Sequence, residues 1–395
     1  MRCRYVLPLA FLALVNPFLE VPASAQQKAK LPRPRQLDSG IVWRRDPATG
    51  DLSSGPINNS NPENGSNTSS GGTAIRVSTQ IVPVTCSVFA SDGTAITGLA
   101  RADFRVYDDG FEQPISYFDI SSEPASVALV IDASPSVLRD SDEMKRAARA
   151  LIEGLSPADQ VAVVDFAAHT FLQLSFLSDR DLIRRALGRV DVRQLLGDTG
   201  GSNIYEAVYL TAGKVFLRGR EGRKSVVLFT DGQDSGLGLT LDPASAAPQP
   251  GKAGDRLTFE DVVRTLAGEN IQVFVVSTEN RPRVMSVSWL AARNGTTLIT
   301  NDARNSGIPA YTLYLAELVR RSGGQLYFLR ESASLAGIFR RIAQQIGTQY
   351  TLGFYPATSL AASGHASWHQ LHVEVSGHPG ASVIHRAAYY ARPSQ

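Results

Sequence analysis

Between residues 127 and 346 short apolar runs alternate with stretches of helical periodicity, and this alternation constrains the fold more than any other feature. Val127–Ile131 is five apolar residues in a row, which reads as a strand buried on both faces, because a half-buried strand would alternate apolar with polar. Met144, Ala147, Ala148, Leu151, Ile152 and Leu155 follow at i, i+3, i+4, i+7, i+8 and i+11, the spacing of an amphipathic helix. The pattern continues with strand QVAVVDF and a helix bearing Leu182, Ile183, Ala186, Leu187 and Val190, for which Ser178 and Asp181 are read as a capping box. A helix entered through TGGSN comes next, then strand SVVLFT, a helix around Phe259–Ala267 and strand IQVFVVS. A helix at 311–321, strand QLYFL and a helix at 334–346 complete the series. Strands alternating with helices predict an α/β domain with a Rossmann-like, doubly wound, mostly parallel sheet over residues 124–348.

The flanks read differently. IRVSTQIVPVTCSVFA alternates, and FRVYDDGFEQPISYF predicts a hairpin around Asp109-Gly110. After the last helix, YTLGFYPA, WHQLHVEVSG and SVIHRAAYYA are again β-like. Residues 74–123 and 349–395 thus form β-rich flanks of about seven strands, enough for one small sandwich into which the α/β domain is inserted. Residues 26–73 are polar and rich in Gly, Pro, Ser and Asn, and their composition predicts a disordered linker.

Residues 1–25 carry a basic start (Arg2, Arg4), the apolar core YVLPLAFLALV and the small-residue site Ala23-Ser24-Ala25. This is the pattern of a cleaved signal peptide, and it predicts an exported, soluble protein in the periplasm or outside the cell. No later stretch reaches the length of a membrane span. With residues 1–25 removed, 37 basic residues stand against 36 acidic ones, and no basic run interleaved with aromatics supports nucleic-acid binding. Cys86 is then the single cysteine left, so an internal disulfide is excluded and a buried, inert thiol is expected. Oligomeric state is not legible.

The candidate site lies at the C-terminal ends of the strands. Asp132 ends the first apolar run, with Ser134 and Ser136 at i+2 and i+4. Ser202 sits at the glycine-rich helix entry, and Asp231 follows strand SVVLFT in Thr230-Asp231-Gly232. In open α/β sheets ligands bind at this edge. Two carboxylates and three hydroxyls suit a hard dication such as Mg²⁺, which takes oxygen ligands in near-octahedral geometry, with Mn²⁺ or Ca²⁺ as alternatives. Gly200 and Gly201 are read as letting their loop approach the ion.

DASPS, GGS and TDG, in that order on an alternating α/β core, resemble the metal-ion-dependent adhesion site of von Willebrand factor type A domains. The resemblance spans roughly residues 124–348 and assigns Asp132, Ser134, Ser136, Ser202 and Asp231 as metal ligands, with Ser202 where the family usually has threonine. GLARADFRVYDDGFEQPISYF and YTLGFYP further resemble an exported, acidobacterial-type group labelled von Willebrand factor A-related. The resemblance implies a non-enzymatic adhesion module whose metal accepts an acidic side chain from a partner protein. It also implies that the last helix or a top loop shifts when the ligand binds, although the sequence shows no switch.

Other readings compete. Asp132 and the two serines also suit a helix N-cap and turn. A haloacid-dehalogenase-like phosphatase starts with an apolar strand and an aspartate, but needs a carboxylate where Ser134 stands. No G-x-S-x-G elbow supports a serine hydrolase. A metal-dependent hydrolase and a scaffold with a vestigial site are the remaining alternatives. His365, His369 and His372 invite a zinc reading, but His369 and His372 point to opposite faces of a strand, so locally bonded surface or interface histidines are expected. Asp165, inside a strand, is assigned a structural role. Loops 234–258 and 279–310 both leave strands beside the site, as specificity elements or as decoration.

Overall fold

The computed structural model describes residues 30–46, 51–56, 81–120, 123–137, 141–190, 201–219, 222–237, 256–282, 308–329, 335–356 and 367–391. The expected signal peptide, His365, Gly200 and most of loops 234–258 and 279–310 lie outside them. No helix among the described residues is long and apolar enough to cross a membrane.

The central sheet has seven strands: β1 (Arg35–Gln36), β8 (Ser126–Asp132), β9 (Gln160–Phe166), β10 (Thr170–Leu177), β11 (Lys224–Thr230), β12 (Ile271–Ser277) and β13 (Leu326–Phe328). Their order is β1-β10-β9-β8-β11-β12-β13. The pairs from β9 through β8, β11 and β12 to β13 are parallel, whereas β10 is antiparallel to both β9 and β1. Alternate residues of β8 enter two separate cores. Ala128 and Val130 pack with helices α3 (Ile204–Leu210), α4 (Phe259–Gly268) and α5 (Ala310–Ser322). Val127, Leu129 and Ile131 pack on the opposite face with α1 (Ser141–Gly154), α2 (Arg180–Leu187) and α6 (Leu335–Gly347). Burial on both faces is why these strands read as unbroken apolar runs.

The flanks form two four-stranded antiparallel sheets. One runs β16 (Ser382–His385), β4 (Val82–Phe89), β14 (Tyr350–Phe354), β7 (Tyr117–Ile120); the other runs β17 (Ala388–Ala391), β15 (Ser367–Val375), β5 (Phe104–Asp108), β6 (Phe111–Gln113). Each sheet mixes strands from before and after the α/β domain, and inward side chains such as Val84, Val106, Leu352 and Val373 share one core. The sandwich is therefore discontinuous in sequence, with the α/β domain inserted into it. β5 and β6 turn through Asp109 (φ 49) and Gly110 (φ 85), the pair of positive φ values a two-residue hairpin with the right twist needs. Cys86 is buried as a free thiol, and its desolvation pushes its pKa up.

Sandwich and α/β domain meet at a polar seam. Arg321 of α5 pairs with Glu260 of α4 at 2.9 Å and lies 3.8 Å over the ring of Trp368 from β15, whose indole N–H also donates to Glu260. The Arg321 guanidinium helps hold the Glu260 carboxyl below its ordinary pKa against the opposing effect of burial.

Three expectations need correction. Residues 26–73 do not form a linker throughout: β1 joins the central sheet, and β2 (Ile41–Arg45) and β3 (Leu52–Pro56) form a hairpin. Leu37 is buried in the core, Trp43 meets Tyr209 edge-on, and Arg45 makes two bonds of 2.8 and 2.7 Å to Asp261. A few apolar anchors and one charge-assisted fork outweigh the polar composition of this segment. Second, β10 is a strand absent from the sequence reading, reached by a tight turn in which Ala167 N–H donates to His169 C=O at 3.1 Å. Third, α2 is capped by Asp179, whose carboxylate accepts from the N–H groups of Asp181 and Leu182 at 3.0 Å. Aspartate caps as well as serine and adds a negative charge at the positive end of the helix.

Candidate metal centre

β8 and β11 are adjacent and parallel, so their C-terminal ends present Asp132 and the Thr230-Asp231-Gly232 turn side by side. Asp132 is fully buried. Its Oδ1 accepts the Ser134 N–H at 3.0 Å, and its Oδ2 accepts hydroxyl protons from Ser202 at 3.0 Å and Thr230 at 2.7 Å. Ser134 Oγ lies 3.2 Å from Ser136 Oγ. Ser134 is buried and Ser136 exposed, so the pair leads from the buried carboxylate to the surface. Asp231 is 3 % exposed, and its Oδ1 accepts the Gln233 N–H at 2.9 Å.

These contacts place four of the sequence-assigned residues, Asp132, Ser134, Ser136 and Ser202, in one hydrogen-bonded group. Asp231 acts on that group through its charge. Burial, with a smaller contribution from the Asp231 charge, raises the Asp132 carboxyl to about 6 against the lowering effect of its hydroxyl and amide donors. Every hydrogen bond that Asp132 makes among the described residues comes from a neutral donor. Among the described residues, two buried carboxylates, neutral donors and clustered hydroxyls leave negative charge without a cationic hydrogen-bond partner, and that donor set fits a hard dication.

Two features were not legible at first sight. Thr230 is part of the site: besides donating to Asp132, its Oγ1 accepts the Gly232 N–H at 3.0 Å. A hydroxyl directly before Asp231 at a strand end was the available signal. Gly201 has a packing role, because a Cβ there would stand 2.1 Å from Ser235 Oγ. Ser235 in turn accepts the Ser202 N–H at 3.2 Å and donates its own N–H to Ser202 C=O at 2.7 Å, fixing the loop that carries Ser202. Gly232 (φ 90) occupies a left-handed position against Leu315 and Tyr311 of α5, where a Cβ would meet Leu315 at 2.8 Å.

Among the described residues Asp165 makes no hydrogen bond to this group. It is buried and accepts from Gln173 Nε2 at 2.8 Å, tying β9 to β10. His369 and His372 also lie elsewhere, on the sandwich, and they have different partners.

No curated protein matches the chain. Similar solved structures include an aerotolerance-related membrane protein from Bacteroides fragilis, at 18 % identity and TM-score 0.38, covering 56 % of this chain and 98 % of that one. A von Willebrand factor type A protein from Catenulispora acidiphila aligns at 14 % identity and TM-score 0.39 over 74 % of each chain. Proximal thread matrix protein 1 from the mussel byssus, described with a zinc-occupied MIDAS motif, aligns at 16 % identity and TM-score 0.37, covering 60 % of this chain and 48 % of that one. Residues 127–233, the span that holds Asp132, Ser134, Ser136, Ser202 and Asp231, match the model of the von Willebrand factor type A domain.

Proposed function

We propose that the chain is an exported, divalent-metal-dependent protein-binding module, with the metal held at the β8–β11 strand ends. Ser134, Ser136 and Ser202 supply hydroxyl ligands. Asp132 and Asp231 coordinate directly or through water and set the charge. Hydroxyls are uncharged, so the bound dication keeps electrophilic character and takes a carboxylate from a partner protein as its completing ligand. Mg²⁺ is the metal this oxygen-only set suits best.

One observation carries the reading: a fully buried carboxylate whose donors among the described residues are all neutral, beside a second buried carboxylate. An enzymatic reading would need a base or nucleophile beyond these residues. Export rests on the signal-like residues 1–25.

The test is capture of partners from envelope and secreted fractions on the immobilised chain. Proteins retained in Mg²⁺, released by EDTA and absent from an Asp132→Ala column support the reading. Retention that is indifferent to EDTA and to the substitution refutes it.

A further inference from the structure

A second group of metal-ligating side chains lies on the sandwich, on elements separate from those of the first. Asp108 ends β5, Asp109 is the first residue of the two-residue turn into β6, and His369 lies on β15, the neighbour of β5. His369 Nδ1 is 2.8 Å from Asp109 Oδ2 and 3.8 Å from Asp108 Oδ1. One ligand atom from each residue falls within 4.8 Å of the other two. Two ligands bound ~2.0–2.1 Å from one tetrahedral ion stand about 3.3 Å apart, and the two distances bracket that value.

An independent feature points to a ligand. Asp108 is 8 % exposed, and its Oδ1, directed toward His369, has no hydrogen-bond partner. Its Oδ2 is satisfied by the Tyr389 hydroxyl at 3.0 Å. A buried carboxylate oxygen without a donor is unfavourable unless something else takes its lone pairs. A protonated His369 bonded to Asp109 does not reach it, since 3.8 Å is beyond hydrogen-bond range.

The surrounding groups are those an ion would require. Ser367 Oγ lies 3.0 Å from His369 Nε2, so an Nε2–H donated there leaves the Nδ1 lone pair facing the carboxylates. The Gln370 N–H holds Asp109 Oδ1 at 2.7 Å, and the Tyr389 ring stacks on the imidazole at 5.2 Å. Three protein ligands with a solvent-facing side, through the half-exposed Asp109, leave a fourth position for water.

We propose that Asp108, Asp109 and His369 form a second, zinc-type divalent metal site that clips the β5–β6 turn to β15. One imidazole with two carboxylates suits a borderline dication such as Zn²⁺, whereas the strand-end group offers oxygen alone.

Co²⁺ titration of the full chain, followed by visible absorption, separates the two sites, because tetrahedral Co²⁺ absorbs far more strongly than octahedral Co²⁺. The expected result is a tetrahedral band that saturates at one equivalent and is displaced by Zn²⁺. Asp109→Asn keeps a residue tolerant of the positive φ and should weaken binding at least ~tenfold; His369→Gln should abolish the band, and His372→Gln should leave it unchanged. Absence of a band saturating at one equivalent overturns the proposal, as does a band that survives both Asp109→Asn and His369→Gln at full affinity.

Discussion

Thr230 donates its hydroxyl proton to Asp132 across two adjacent parallel strands, 2.7 Å from Oγ1 to Oδ2, and the same oxygen accepts the Gly232 N–H. Thr230 therefore fixes one oxygen of the buried carboxylate and the start of the turn that carries Asp231. Thr230→Val keeps the shape and removes both bonds. It is expected to destabilise the fold by roughly 1–3 kcal/mol, since two buried groups lose a partner, while Thr230→Ser stays near wild type. Urea unfolding of the three proteins checks this. A valine variant as stable as wild type would show that the bond does not hold the site together.

Gly201 and Ser235 form the second constraint on the site. A methyl at position 201 would stand 2.1 Å from Ser235 Oγ and 2.5 Å from its Cβ. Gly201→Ala is expected to destabilise by about 1–3 kcal/mol, the usual range for overpacking, and to displace the Ser202 loop. Adding Ser235→Gly removes the obstacle, so Gly201→Ala should cost much less in the Ser235→Gly background than in wild type in a double-mutant cycle. Additive losses in the double variant would contradict the packing account.

His385 gives the sandwich a pH dependence. Burial lowers its pKa from 6.5 to about 4; its Nδ1–H donates to Arg386 C=O at 2.8 Å and its Nε2 accepts the Val373 N–H at 3.3 Å. The groups facing it oppose a second positive charge: His372 of β15, with ring centroids 5.9 Å apart, and the buried Arg386. The native state therefore binds fewer protons than the unfolded chain between about pH 6.5 and 4. Stability from this group is fully present above pH 6.5 and is lost as pH falls through 4, about 3 kcal/mol in all. The difference in unfolding free energy between wild type and His385→Gln, measured from pH 8 to 4, should shrink by that order. A difference independent of pH would exclude His385 as its source.

The sequence disclosed the α/β core because Val127–Ile131 and its counterparts are buried on both faces, which leaves an unbroken apolar signature. The inserted sandwich was legible for a related reason: neither flank had a complete core, and β14 indeed lies between β4 and β7. The order of β1 to β3 was hidden because it rests on isolated side chains, Leu37, Trp43 and Arg45, whose partners Tyr209 and Asp261 are more than 160 residues away. Strand β10 was hidden because its connection to β9 is a tight turn where a helix was expected. At the strand ends, spacing pointed to Asp132, Ser134 and Ser136, their places at a helix entry and a strand end to Ser202 and Asp231, and the family resemblance joined the five into one ligand set. Thr230 escaped because its role depends on the register between β8 and β11. Asp108 and His369 are 261 positions apart in sequence, and only the β5–β15 pairing brings them together.

The central claim is that the Asp132 group holds a divalent metal. Its most direct test is the melting temperature of the full chain in EDTA and in ~10 mM Mg²⁺, for wild type and for Asp132→Ala. A metal that binds only the native state with ~1 mM affinity adds about 1.4 kcal/mol at that concentration, a rise of at most a few degrees for a chain of this size. The account predicts that rise in wild type and its loss in Asp132→Ala. An unchanged wild-type melting temperature, or an equal rise in the variant, would contradict it.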